Sequence, residues 1–105
     1  MNATEMLAKV DHTQLKATAT WQDIAQVCEE ALRYATASAS IPPAFVARAH
    51  AAYPALNLCT VIGFPLGYAT TAVKVCEAKQ ALADGANEVD VVVNLGDVKD
   101  GAFER

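Results

Sequence analysis

Glu88-Val89-Asp90-Val91-Val92-Val93-Asn94 is the stretch on which the reading of this chain turns. Four valines surround one carboxylate. β-Branched residues favour strands, and a nearly unbroken apolar run belongs to a strand covered on both faces, as in a parallel sheet. Asp90 interrupts that run. A carboxylate in such a place must be paired, hydrogen-bonded or protonated, because burying it alone is costly. Period-two alternation sets Asp90, Val92 and Asn94 on one face and Val89, Val91 and Val93 on the other. Two readings stand. Asp90 pairs with a basic residue and only holds structure, or it is an acid facing a pocket, with the amide of Asn94 above it.

Working upstream, Gly85 stops a helix that opens at Thr70 or Thr71. Before it, Gly63-Phe64-Pro65-Leu66-Gly67 reads as a loop whose glycines shape a rim over Phe64 or Leu66. That loop follows Leu58-Cys59-Thr60-Val61-Ile62, a second apolar strand. Further back, Pro43 suits the first turn of a helix carrying Phe45, Val46, Ala49, Ala52 and Tyr53. Ala37-Ser38-Ala39-Ser40-Ile41 is a weak strand by propensity, placed by its position in the order. Thr20 caps a helix from Trp21, with Asp23 in its first turn. Ile24, Val27, Cys28, Ala31, Leu32 and Ala35 form the apolar stripe of that helix.

Asp11-His12-Thr13 reads as a turn with an Asx cap, or as a second carboxylate delivered to a pocket. Downstream, Gly96 ends the valine strand, and another helix begins around Phe103-Glu104-Arg105.

The order is helix and strand in alternation. Strands near 37–41, 58–62 and 88–94 are separated by roughly 20 and 30 residues, which parallel crossovers require. The fold class is therefore α/β. An open doubly wound sheet and part of a (β/α)8 barrel both fit. A complete barrel takes about 250 residues, and this chain has 105. Three strands would leave two open sheet edges.

The net charge is −4, from 8 basic and 12 acidic residues. A nucleic-acid binder needs a basic face, so nucleic acid is not an expected partner. No run approaches the ~18 apolar residues of a membrane span. The polar start Met1-Asn2-Ala3-Thr4-Glu5 lacks the apolar centre of a secretory leader, which points to the cytoplasm. Cys28, Cys59 and Cys76 are scattered in apolar contexts and read as buried, reduced thiols; no Cys/His spacing suggests a metal.

An amine nucleophile needs desolvation or a cationic neighbour. Lys9, Lys16, Lys74, Lys79 and Lys99 all lie outside the apolar strands. Lys74 reads as a surface residue three before Glu77. Lys79 falls among Ala72, Val75, Cys76, Leu82 and Ala83, its stem covering the sheet.

Several segments together resemble the deoxyribose-phosphate aldolase family. They are Asp11-His12-Thr13-Gln14-Leu15-Lys16, Cys59-Thr60-Val61-Ile62-Gly63-Phe64-Pro65-Leu66-Gly67, Thr71-Ala72-Val73-Lys74-Val75, Ala81 through Asp90, and Asn94-Leu95-Gly96.

The resemblance implies a TIM barrel of which residues 1–105 are the N-terminal portion, its first three βα units. It also implies a class I lyase without metal or other cofactor, acting on a small phosphorylated sugar through a lysine Schiff base. The family's proton donor/acceptor falls on Asp90 and its supporting aspartate on Asp11. Ser40, Thr60 and Asn94 fall in the substrate pocket. Where the family reads Cys-Val-Asn-Pro, this chain has Ser40-Ile41-Pro42-Pro43, so the pocket thiol there is a hydroxyl. The family's Schiff-base lysine matches none of the five present and lies beyond Arg105, so the chain alone is expected to be inactive. A homo-oligomer is compatible with this reading. The alternative is a non-catalytic α/β interaction or binding module derived from the barrel.

Overall fold

The computed structural model describes residues 2–102. Its elements are α1 (Ala3–Leu7), β1 (Asp11–Thr13), α2 (Trp21–Tyr34), β2 (Ser38–Ser40), α3 (Val46–Ala52), β3 (Leu58–Ile62), α4 (Thr71–Asp84), β4 (Glu88–Val91) and α5 (Leu95–Asp100). A 3₁₀ turn, Pro43–Phe45, leads into α3. The strands form one parallel sheet in the order β1-β2-β3-β4, so each crossover advances one position in the same direction. Sequential parallel order with helices between is the arrangement of a barrel sector; a doubly wound sheet reverses its order at a switch point.

A fourth strand, β1, lies where the sequence suggested a turn. Asp11–Thr13 pairs with Ser38–Ser40. Three residues, including an Asp and a His, carry no strand periodicity, so this strand exists through its neighbour alone. The valine strand is correspondingly shorter than its apolar run. Regular pairing ends at Val91, although the Val92 N–H still donates to Ile62 O at 2.9 Å. Asn94 then caps α5, accepting from Gly96 N and Asp97 N at 3.0 and 3.3 Å. The last helix thus begins at Leu95, with Gly96 in its first turn. The sequence placed that start at Phe103-Glu104-Arg105, which lies outside the described residues.

The helix ends follow local chemistry. Thr20 and Asp23 form a reciprocal capping box on α2, a motif whose Thr cap contributes about 1 kcal/mol. Gly85 ends α4 with a left-handed φ of 111°. The core lies between helices and sheet, where Ile24, Val27, Cys28 and Ala31 of α2 meet Ala39, Ile41, Leu58 and Ile62. Full burial of a side chain such as Ile24 is worth about 1.5–3 kcal/mol.

Helix α4 does not face the way its apolar residues suggest. Lys74, Glu77, Ala78 and Ala81 turn inward, while Val73, Val75, Cys76, Lys79 and Leu82 are exposed. Lys79 therefore does not cover the sheet, and Cys76 is an exposed thiol. The inward polar groups are paired. Lys74 Nζ donates to Gly67 O at 2.6 Å and to Val92 O at 2.9 Å. Glu77 Oε1 accepts from Gly63 N at 2.7 Å. Hydrogen bonds to backbone, which no hydropathy pattern encodes, select the buried face.

The valine strand also differs in burial. It is the edge of the described sheet, and Asp90, Val91 and Val93 are exposed. The two-sided cover expected of such a strand is missing there because no described strand pairs beyond β4.

Candidate active site

Parallel register decides which side chains share a face. Ser38 sits beside Asp11, Ser40 beside Thr13 and Cys59, and Val61 beside Asp90. Ala39, Leu58 and Ile62 belong to the core under the helices. By alternation, Asp11, Ser38, Ser40, Cys59, Val61, Glu88 and Asp90 line the opposite face, which is the lumen side when such a sheet curls into a barrel.

Two polar contacts lie on that face, aligned across the strands. Ser38 Oγ donates to Asp11 Oδ1 at 2.7 Å. Ser40 is the register partner of Cys59 on the neighbouring strand. Cys59 Sγ lies 3.6 Å from Asp90 Oδ2. All four strands contribute, from β1 at one edge to β4 at the other. Ser38, Ser40 and Cys59 are buried, whereas both aspartates are exposed. This line of side chains is buried in the middle and has an exposed carboxylate at each end. Among the described residues the one salt-bridge contact is His12 with Glu30, at 3.2 Å. Among the described residues Asp90 has no basic partner; its side-chain partner is a thiol.

Burial first, then the negative charge of Asp90, pushes the Cys59 thiol up to about 11. Bonding to Asp90 and the charge of Glu88 act in the same direction, and the Ser40 hydrogen bond acts against them. Cys59 is accordingly a neutral S–H at physiological pH. By sequence alone it reads as an ordinary buried thiol. The signal that could have singled it out is alternation within β3, which puts position 59 on the same face as Asp90 once the strands are in register.

Two pocket candidates do not join this line. Thr60 lies on the helix-covered face, fully buried, its hydroxyl donating to Ile41 O at 2.7 Å. One step of alternation separates it from the Cys59 face. Asn94 spends its amide oxygen on the α5 cap and lines a groove of roughly 470 Å³ with Tyr68, Thr70, Lys74 and Val93. The alternation that would align it with Asp90 stops where the strand stops. His12 also turns to the helix side, toward Glu30, and away from Asp11.

The rim above β3 is built by backbone. Gly63 and Gly67 take φ of 68° and 76°. A Cβ on Gly67 would meet Val93 O at 2.1 Å, so only glycine lets the loop approach β4 this closely. Phe64 and Leu66, expected beneath this rim, are about half exposed on top of it.

None of the lysines is a buried amine on a strand. Lys9, Lys16, Lys79 and Lys99 are exposed, and Lys74 is occupied by two carbonyls. Among the described residues no group of three or more His, Cys, Asp or Glu is arranged to hold a metal. No described helix is long and apolar enough to cross a membrane.

Known proteins share both sequence and fold with this chain. A deoxyribose-phosphate aldolase of Clostridium botulinum is 54% identical over 106 residues, covering 100% of this chain and 48% of the relative. One from Clostridioides difficile is 53% identical, covering 95% and 46%. A solved deoxyribose phosphate aldolase of Aeropyrum pernix, described as tetrameric, superposes with a TM-score of 0.87 at 34% identity. That match covers 90% of this chain and 42% of the other. The chain thus spans about half the length of the curated relatives it matches, and its sheet is a partial TIM barrel. Residues 5–104 match the family described as DeoC/LacD family aldolase, and the chain belongs to that family.

Proposed function

We propose that residues 1–105 are the N-terminal portion of one barrel domain that catalyses reversible cleavage of 2-deoxy-D-ribose 5-phosphate to acetaldehyde and D-glyceraldehyde 3-phosphate. The observation that carries the reading is the polar line ending in Asp90 on the lumen-side face. Names of relatives supply the substrate, and the line supplies a place for proton transfer.

In the proposed reaction, a lysine outside this chain condenses with the sugar aldehyde and releases water. The substrate C3 hydroxyl loses its proton, the C2–C3 bond breaks, and its electrons move to the iminium nitrogen. Glyceraldehyde 3-phosphate departs. The enamine carbon then takes a proton, and hydrolysis frees acetaldehyde. Asp90 is the proton donor/acceptor at that carbon, a role for which its exposed oxygen is suited. Asp11, fixed by Ser38, supports the proton network from the other edge. Ser40, beside Cys59 on that face, lines the substrate pocket. The reaction uses no metal, and the site of action is the cytoplasm. The phosphate is held by segments outside this chain, and a homo-oligomer is the proposed assembly, as in the Aeropyrum relative.

The test joins this chain to the following half of the Clostridium botulinum relative. The chimera is expected to cleave the deoxyribose phosphate and to be trapped as an imine by borohydride. Asp90→Asn in the chimera is expected to lower kcat by about 10²–10⁴-fold. The 105-residue chain alone is expected to give no trapped imine. Trapping on one of its own five lysines, or an unaffected Asp90→Asn chimera, refutes the assignment.

A further inference from the structure

We infer that Cys59 is a positioning residue for Asp90: its S–H donates to Oδ2 and fixes the orientation of the carboxylate. The inference deepens the reading of Asp90 as the proton-transfer group and rests on that reading for its catalytic meaning. The contact itself is independent of it.

The geometry carries the argument. Cys59 is 2% exposed, in the middle of the sheet between β2 and β4. Its sulfur has a hydroxyl neighbour on one side, Ser40, and a carboxylate on the other, Asp90, at 3.6 Å. The single thiol hydrogen has two acceptors in reach, Asp90 Oδ2 and the Thr60 carbonyl at 3.7 Å. An ionised carboxylate is the stronger acceptor.

Asp90 needs such an anchor. It stands on an exposed edge strand without a basic partner among the described residues, and a free carboxylate would sample several rotamers. Glu88 is the other charged group of β4 beside Cys59, and Asp11 lies two strands further on. Neither is a donor when ionised. The thiol is the donor that the sheet supplies to Asp90 from its own interior.

The test is ¹³C NMR of the whole chain, read as the Asp90 χ1 rotamer populations from three-bond couplings and as the Cys59 midpoint at its β-carbon. In the wild type one Asp90 rotamer is expected to dominate. Cys59→Ala, which removes the donor, is expected to spread Asp90 over several rotamers. Cys59→Ser, which keeps a donor, is expected to restore one dominant rotamer. The reciprocal variant Asp90→Asn is expected to lower the Cys59 midpoint, since it removes a negative charge beside the sulfur. Asp90 rotamer populations that are the same in wild type, Cys59→Ala and Cys59→Ser overturn the inference. So does a Cys59 midpoint unmoved by Asp90→Asn, a readout available even where Cys59→Ala fails to fold.

In the aldolase chimera, Cys59→Ala is expected to reduce kcat with little change in KM, with Cys59→Ser restoring it. A chimera that lacks cleavage activity while the Asp90 rotamers and the Cys59 midpoint change as expected defeats the aldolase reading and leaves the positioning contact established.

Discussion

At the scale of single residues, the two faces of β3 do different work one step apart. Cys59 reaches Asp90, and Thr60 reaches backbone beneath the helices. Thr60→Val is expected to cost about 1–2 kcal/mol of stability, because Ile41 O is left without its buried donor. Urea unfolding measures this, and aldol cleavage by the chimera is expected to be unaffected beyond that loss. A change in KM for the sugar phosphate would return Thr60 to the pocket.

The buried thiols also set a pH limit. Cys28, pushed up by burial and then by Glu29, and Cys59 are both raised from 9.0 to about 11. A group with a raised folded pKa binds its proton more tightly in the fold. Its contribution is complete below about pH 9 and is lost as pH rises toward about 11. The urea midpoint is therefore expected to fall across that window. A Cys28→Ala/Cys59→Ala double variant, less stable overall, is expected to show a flatter fall; an equally steep one refutes this origin.

At the scale of elements, α4 is the informative case. Its sequence offers an apolar side of Val75, Leu82 and their neighbours, yet Lys74 and Glu77 point inward. Each holds the loop after β3, through Gly67 O and Gly63 N, and Lys74 also holds Val92 O at the end of β4. Lys74→Met is expected to cost about 1–3 kcal/mol, because it orphans two carbonyls. Lys79→Met, on the exposed side, is expected to stay within about 0.5 kcal/mol. Equal urea midpoints for the two variants would show that the clip contributes nothing. Sequence could not find it, since the partners of Lys74 are main-chain atoms that every residue carries.

At the scale of the whole molecule, the inner strands β2 and β3 are paired on both sides and the outer strands β1 and β4 on one. Amide exchange is expected to be slowest across Leu58–Ile62 and fastest at Asp11–Thr13 and along β4. Joining the following half of the relative in the chimera is expected to slow exchange along β4 in particular. Uniform protection in the isolated chain would mean that its edges are already covered by another copy.

By itself, the sequence determined the alternation of helices and strands, the caps at Thr20 and Gly85, and the family, because these reside in local propensity and in ordered segments such as Gly63–Gly67. Tertiary structure alone decided that Asp11–Thr13 is a strand and that Lys74 turns inward. It also excluded Thr60 and Asn94 from the line that Cys59 joins. Those outcomes depend on register between strands and on which backbone groups meet a side chain. Both are set by residues distant in the chain, so no single stretch encodes them.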